Sequence, residues 1–107
     1  MAIAPKLLAE GQLSSSKATI YSVPALTHTF VKFFSIMNTS ATPQIVIVYV
    51  KAGAVSRIIA RVSLLQNESV RIIEKDETLT LEPGDLIEAE TTTANVADFI
   101  MAGSEQT

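Results

Sequence analysis

Residues 21–40 read YSVPALTHTFVKFFSIMNTS. A Val-Pro step breaks the chain, an aromatic run follows, and Asn-Thr-Ser stops it. Between His28 and Asn38 the apolar residues recur with the two-residue period of a strand, whose successive side chains leave on opposite faces. On that period Phe30, Phe34 and Ile36 share one face, interrupted by Lys32, while Val31, Phe33 and Met37 occupy the other. Both faces are partly apolar, which predicts a core on one side and a neighbour on the other.

Outward from this stretch the same period continues. KATIYSV (17–23) predicts a strand ended by Pro24, and NTSATPQ (38–44) is a loop with turn chemistry. IVIVYVKAG (45–53) is apolar on both faces up to Lys51, as in a central or doubly covered strand, and KAGAVS turns a hairpin about Gly53. SRIIARVSLL (56–65) alternates, with Ile58, Ala60, Val62 and Leu64 on one side and Arg57, Ile59 and Arg61 on the other. QNES turns the chain into the short strand VRII, and EKDE turns it again. TLTLEPGDLIEAETTT (78–93) holds two strands split at Pro83-Gly84, where glycine supplies the positive φ of a type II turn. NVADFIMAG closes the domain, with Val96, Asp98 and Ile100 opposed to Phe99 and Met101, and the polar SEQT is expected to fray.

Helical spacing is nearly absent. APKLLAEGQL (4–13) is limited by Pro5 and Gly11 to one or two turns, so residues 1–16 read either as an extended arm or as a first strand. The prediction is all-β: a single two-sheet antiparallel β-sandwich of about eight strands, jelly-roll or immunoglobulin-like, over residues 17–102. An open barrel is the alternative, and residues 103–107 form a polar tail.

A chain of 107 residues supports one core. With 48% hydrophobic and 18% charged residues it is not a disordered chain. Its longest apolar run, IVIVYV, is far short of the roughly 20 residues needed to cross a bilayer. No basic start precedes a long apolar block, so no signal peptide is expected. Without cysteine there is no disulfide framework, thiolate nucleophile or Cys-type zinc site, which points to assembly in a reducing cytoplasm. Net charge is −3, divided unevenly. Six bases against Glu10 in residues 1–66 give +5, and ten acids against Arg71 and Lys75 in residues 67–107 give −8. Either the halves form faces that guide like subunits together, or a sandwich interleaves them and the asymmetry averages out.

Candidate chemistry is sparse. His28, the single histidine, stands between two threonines at a strand start, without the nucleophile and orienting carboxylate of an acid–base site. Ser14–Ser16 lack the G-x-S-x-G setting of a nucleophile elbow, and no glycine-rich phosphate loop exists. EKDETLTLEPGD does not have EF-hand spacing. Glu88 and Glu90 share a strand face, as a weak cation site or simply a solvated acidic one. LEPGD resembles the turn of cupin jelly rolls, but the cupin metal site needs several histidines. Arg57, Arg61 and Arg71 could line one surface, yet a pI near 5 opposes a phosphate-tracking groove. No catalytic, metal or cofactor residues are assigned, and neither nucleic acid, membrane nor small-molecule substrate is expected as a partner.

Three stretches taken together resemble a family: IYSVPALTHTFVKFFSIMNTS, PQIVIVYVKAGAVSRII and LTLEPGDLIEAETTTANVADFIMAG. They are similar to small virion proteins and virion-protein modules of tailed bacteriophages. The matching positions are Tyr21, Val23, Pro24 and Ala25; Val31, Phe34, Asn38, Thr39 and Ser40; Leu81, Gly84, Asp85, Ile87 and Ala89; and Ala94, Asn95 and Asp98. The resemblance spans about residues 17–102. Leu26 departs from it, standing where such modules usually have glycine, which leaves the geometry of the first turn open.

The resemblance implies a non-enzymatic structural component of a phage particle, assembled in the host cytoplasm. One placement is a capsid cement or decoration protein that bridges major capsid subunits, often as a trimer. The other is a tail, collar or fibre-adaptor component. A lone domain without heptads or repeats leans to the first. The candidate contact residues are Ile3, Leu7 and Leu8 in the N-terminal segment, Lys32 and Phe33 on the aromatic strand, Asn38 and Thr39 in the loop, and Arg57, Ile59 and Arg61. A carbohydrate-binding attachment module is a further alternative, opposed by the absence of tryptophan and by the two tyrosines lying inside strands.

Overall fold

The computed structural model describes residues 3–73 and 76–107, with side chains described from residue 6 onward. Among them run nine strands: β1 (Ile3–Gln12), β2 (Ala18–Ser22), β3 (His28–Asn38), β4 (Gln44–Ala52), β5 (Val55–Leu64), β6 (Ser69–Ile73), β7 (Leu79–Leu81), β8 (Leu86–Thr91) and β9 (Ala97–Gln106). They make two antiparallel sheets, one ordered β1-β9-β3-β6 with β7 also paired to β3, the other β2-β8-β4-β5. The described residues contain no helix, and the sandwich expected from the two-residue period is what forms.

The chain pairs with itself as though folded in half. β1 meets β9, β2 meets β8, β3 meets β6 and β7, and β4 meets β5. β4, apolar on both faces in the sequence, is a central strand between β8 and β5. Between the sheets lies one core, to which Val31, Phe34, Ile36 and Met101 contribute from one side and Val46, Val48, Ile87 and Leu64 from the other. Phe34 and Phe99 meet edge to face, 6.3 Å between centroids, the favoured arrangement of two ring quadrupoles.

β3 has the expected bounds, but its faces do not follow one unbroken alternation. Its register against β9 shifts between Val31 and Phe33, so that Lys32 is the extra residue of a β-bulge. Thr29 and Val31 are buried before the bulge, and Phe34, Ile36 and Asn38 after it. Val31 therefore belongs to the core and Phe30 to the outer face, the reverse of the simple period-two assignment. Facing the bulge, β9 places Gly103, where an added Cβ would come within 1.9 Å of the Phe30 carbonyl oxygen. Only glycine allows that approach.

A second bulge re-aims β5. Its register against β4 shifts between Val48 and Tyr49, opposite Ala60 and Ile58, which leaves Ile59 unpaired. Ile58, expected on one side with Ala60, Val62 and Leu64, instead leaves that side for the outer face beside Tyr49 and is 56% exposed. Arg57 pairs with Val50 and Arg61 with Ile47, so the predicted common face of Arg57, Ile59 and Arg61 is split.

The chain ends also differ from expectation. Residues 104–106 do not fray: β9 continues to Gln106, flanked by β1 and β3. Gly84 takes φ 86°, as the turn demands. At the first turn Leu26 takes φ 58°, a left-handed conformation that glycine adopts freely and leucine does not. The other non-glycine residues at positive φ are Asn67, Asp76 and Asn95, whose short polar side chains tolerate it.

Candidate interaction surfaces

No group of three or more His, Cys, Asp or Glu side chains able to hold a metal ion occurs among the described residues. His28 lies exposed at the start of β3, its Cα paired with that of Gln106. Glu88 and Glu90 do share the outer face of the β2-β8-β4-β5 sheet, opposite Tyr49 and Ile47. Each carboxylate already has a donor. Ser56 donates to Glu88 at 2.8 Å and Tyr49 to Glu90 at 2.5 Å. Lys17 sits 4.7 Å from the Tyr49 ring centroid, a cation over the ring face. The Glu90 bond comes first among the causes that raise the Tyr49 phenol above its ordinary value.

The motif residues work as internal fasteners at the two ends of the sandwich. At one end, the Val23 N–H donates to the Asp85 carbonyl at 2.9 Å and the Gly84 N–H to the Val23 carbonyl at 3.2 Å. The segment after β2 is thereby locked to the β7–β8 turn. At the other end Asn38 is fully enclosed. Its amide donates to the carbonyls of Thr42, Leu64 and Leu65, and its oxygen accepts from the Ser40 N–H and hydroxyl, all at 2.9–3.2 Å. Thr39 donates from its N–H and its hydroxyl to the Val96 carbonyl, and the Asn95 N–H donates to the Leu13 carbonyl.

A polar cluster joins the sheets near the chain termini. The Tyr21 phenol on β2 donates to Glu105 on β9 at 2.6 Å and contacts the Thr29 hydroxyl at 2.8 Å. With the phenol proton given to Glu105, Thr29 is the donor in the second bond. Lys6 on β1 closes the cluster, 2.8 Å from the same carboxylate. The hydrogen bond from Lys6, then that from Tyr21, holds the Glu105 carboxyl below its ordinary range. Burial, then the bond to Glu105, pushes the Tyr21 phenol up to about 12.

Several large apolar side chains also remain exposed. On the outer face of the first sheet, Leu7, Ala102 and Phe33 line up across β1, β9 and β3. Leu7 is 55% exposed, and Ile100 and Met37 stand open in adjacent rows. Arg71 lies over the Phe33 ring at 5.4 Å. The outer face of the second sheet presents Ile45 and Ile58, beside exposed Arg61. Of the other candidate contact residues, Lys32 and Thr39 are exposed and Leu8 packs against the core from its bulge position. The Ile3 backbone opens β1, and its side chain lies outside the described residues. Asn38 is enclosed rather than presented. Leu26 and Val55 stand out only in the structure, because turns rather than alternation decide their exposure, whereas Ile100 is exposed on the face that the alternation of β9 gives it.

No protein-family model matches the chain, and no curated protein matches it. Among solved structures, the chain is similar to two crystal structures, each of a pentameric capsid protein isolated from metagenomic phage sequences. The first matches with a TM-score of 0.42 and 19% identity, covering 97% of this chain and 65% of that one. The second matches with a TM-score of 0.42 and 16% identity, covering 97% and 64%. The chain thus spans just under two thirds of the length of those proteins.

Proposed function

We propose that this chain is a non-enzymatic structural subunit of a bacteriophage particle. In this reading it is a homo-oligomeric cement or decoration protein that bridges major capsid subunits and holds the head against internal DNA pressure. The observation that carries the reading is the set of exposed apolar side chains on the outer face of each sheet, Leu7, Met37 and Ile100 on one and Ile45 and Ile58 on the other, in a domain whose buried polar side chains, among the described residues, all have hydrogen-bond partners. Such surfaces on a stable sandwich mark contact sites. The pairing of β1, β2 and β4 with β9, β8 and β5 across two sheets supports the jelly-roll form of the sandwich, an architecture used in viral shells and in lectins. The phage-like motifs support the same reading through the fold they fasten.

An attachment module that binds glycans fits less well. Sugar rings stack on exposed aromatic faces, whereas none of the exposed large hydrophobic side chains here is aromatic. Tyr21 is buried and Tyr49 lies under Lys17.

Cryo-EM of the virion that encodes the chain, with copies counted per particle, tests the proposal. Hundreds of copies over the head are expected. A dozen or fewer near the tail would replace cement with a tail or collar role, and absence from the particle would overturn the virion reading.

A further inference from the structure

Among the described residues, Leu26 is the most exposed of the large hydrophobic side chains, at 87%. It is also held at φ 58°, a conformation that costs a leucine more than a glycine and returns no packing within the subunit. At the β4–β5 hairpin the sandwich leaves an apolar pocket of about 300 Å³, lined by Val50, Ala52, Val55, Arg57, Ile59 and Leu79. The Ile59 bulge turns Arg57 and Ile59 towards it, and Arg57 is the one charged side chain among its described lining residues. The Leu26 turn is tied through Val23 to the β7–β8 turn, which carries the exposed Glu82 and the half-exposed Asp85.

We propose that Leu26 of one copy inserts as a knob into the β4–β5 pocket of a neighbouring copy, with Glu82 beside the knob facing Arg57 at the pocket rim. The strained turn presents an apolar tip joined through Val23 to an acid-bearing turn, and the pocket offers an apolar hole lined by one base. Each lacks within its own subunit what the other supplies. Such a contact either closes reciprocally about a two-fold axis or passes from subunit to subunit around a ring. It deepens, and rests on, the reading of the chain as a self-associating subunit.

The test uses the full chain, whose lack of cysteine gives a clean background for cross-linking. Leu26→Gly removes the knob and relaxes the turn. Sedimentation should show association weakened roughly tenfold to a hundredfold, the effect of exposing one buried leucine. At a dilution where both proteins are monomers, the variant should unfold at a higher temperature than the wild type. Ala52→Phe, which plugs the hole and leaves Leu26 intact, should also weaken association. A mixture of Leu26→Cys and Val55→Cys chains should form the mixed disulfide under mild oxidation. Undiminished association of Leu26→Gly, with no mixed disulfide, would overturn the contact and leave the self-associating subunit standing. A wild-type chain that stays monomeric at every concentration would overturn both.

Discussion

Asn38 opens a polar loop in the sequence and reads there as a contact residue, yet its side chain is wholly enclosed. Its partners Leu64 and Leu65 lie 26 and 27 residues along the chain, a distance that spacing cannot reveal. Asn38→Asp would set a carboxylate against the carbonyl oxygens that the amide now serves. We expect a loss of about 3 kcal/mol in urea unfolding at neutral pH, the cost of stranding buried polar groups. Unchanged stability would show that the hub is dispensable. The Tyr21–Glu105–Lys6 cluster gives a pH signature with a definite sign. Glu105 titrates below its ordinary 4.5, so its stabilisation is present above that value and fades as pH falls through the lowered one. Tyr21 titrates near 12 against an ordinary 10.0, so its contribution is complete below 10 and fades as pH rises towards 12. Thermal midpoints should fall on both limbs, and Glu105→Gln should flatten the acid limb. An acid limb as steep in Glu105→Gln as in the wild type would contradict the assignment.

The bounds of β3 were legible, and strand faces were legible only where no bulge intervenes, as in β9 up to Met101. His28–Asn38 is delimited by the Pro24 break and the Asn-Thr-Ser stop, both visible in the sequence, and the observed strand has those ends. The bulges at Lys32 and Ile59 have no local signature. Each adds one residue against a partner far along the chain, and one residue suffices to exchange the faces of everything that follows. For the same reason Arg57, Ile59 and Arg61 do not present one surface. β9 shows a further limit of local reading. Its last residues look like a polar tail, but they are held between two neighbouring strands, with Glu105 anchored by Lys6 and Tyr21. At this scale Gly103 is the test of the β3–β9 bulge. Gly103→Ala should cost about 3 kcal/mol, the upper end for forcing atoms into a packed site, because the Phe30 backbone must move. A change below about 1 kcal/mol in chemical unfolding would mean that the strands separate readily there.

Across the molecule, composition and period specify a sandwich, while the strand order comes only from long-range pairing. That pairing also resolves the uneven charge. Because β1 runs beside β9 and β2 beside β8, the basic half and the acidic half interleave, as Lys6 on Glu105 illustrates. The proposed association would then rest on shape, exposed aliphatic side chains and local charge rather than on two oppositely charged faces. The central claim is that contacts between subunits are what this domain is for. Sedimentation equilibrium of the purified full-length chain tests it most directly. The account predicts a concentration-dependent mass that is a defined multiple of the 11.5 kDa subunit. A single species of 11.5 kDa across the whole accessible concentration range would contradict it.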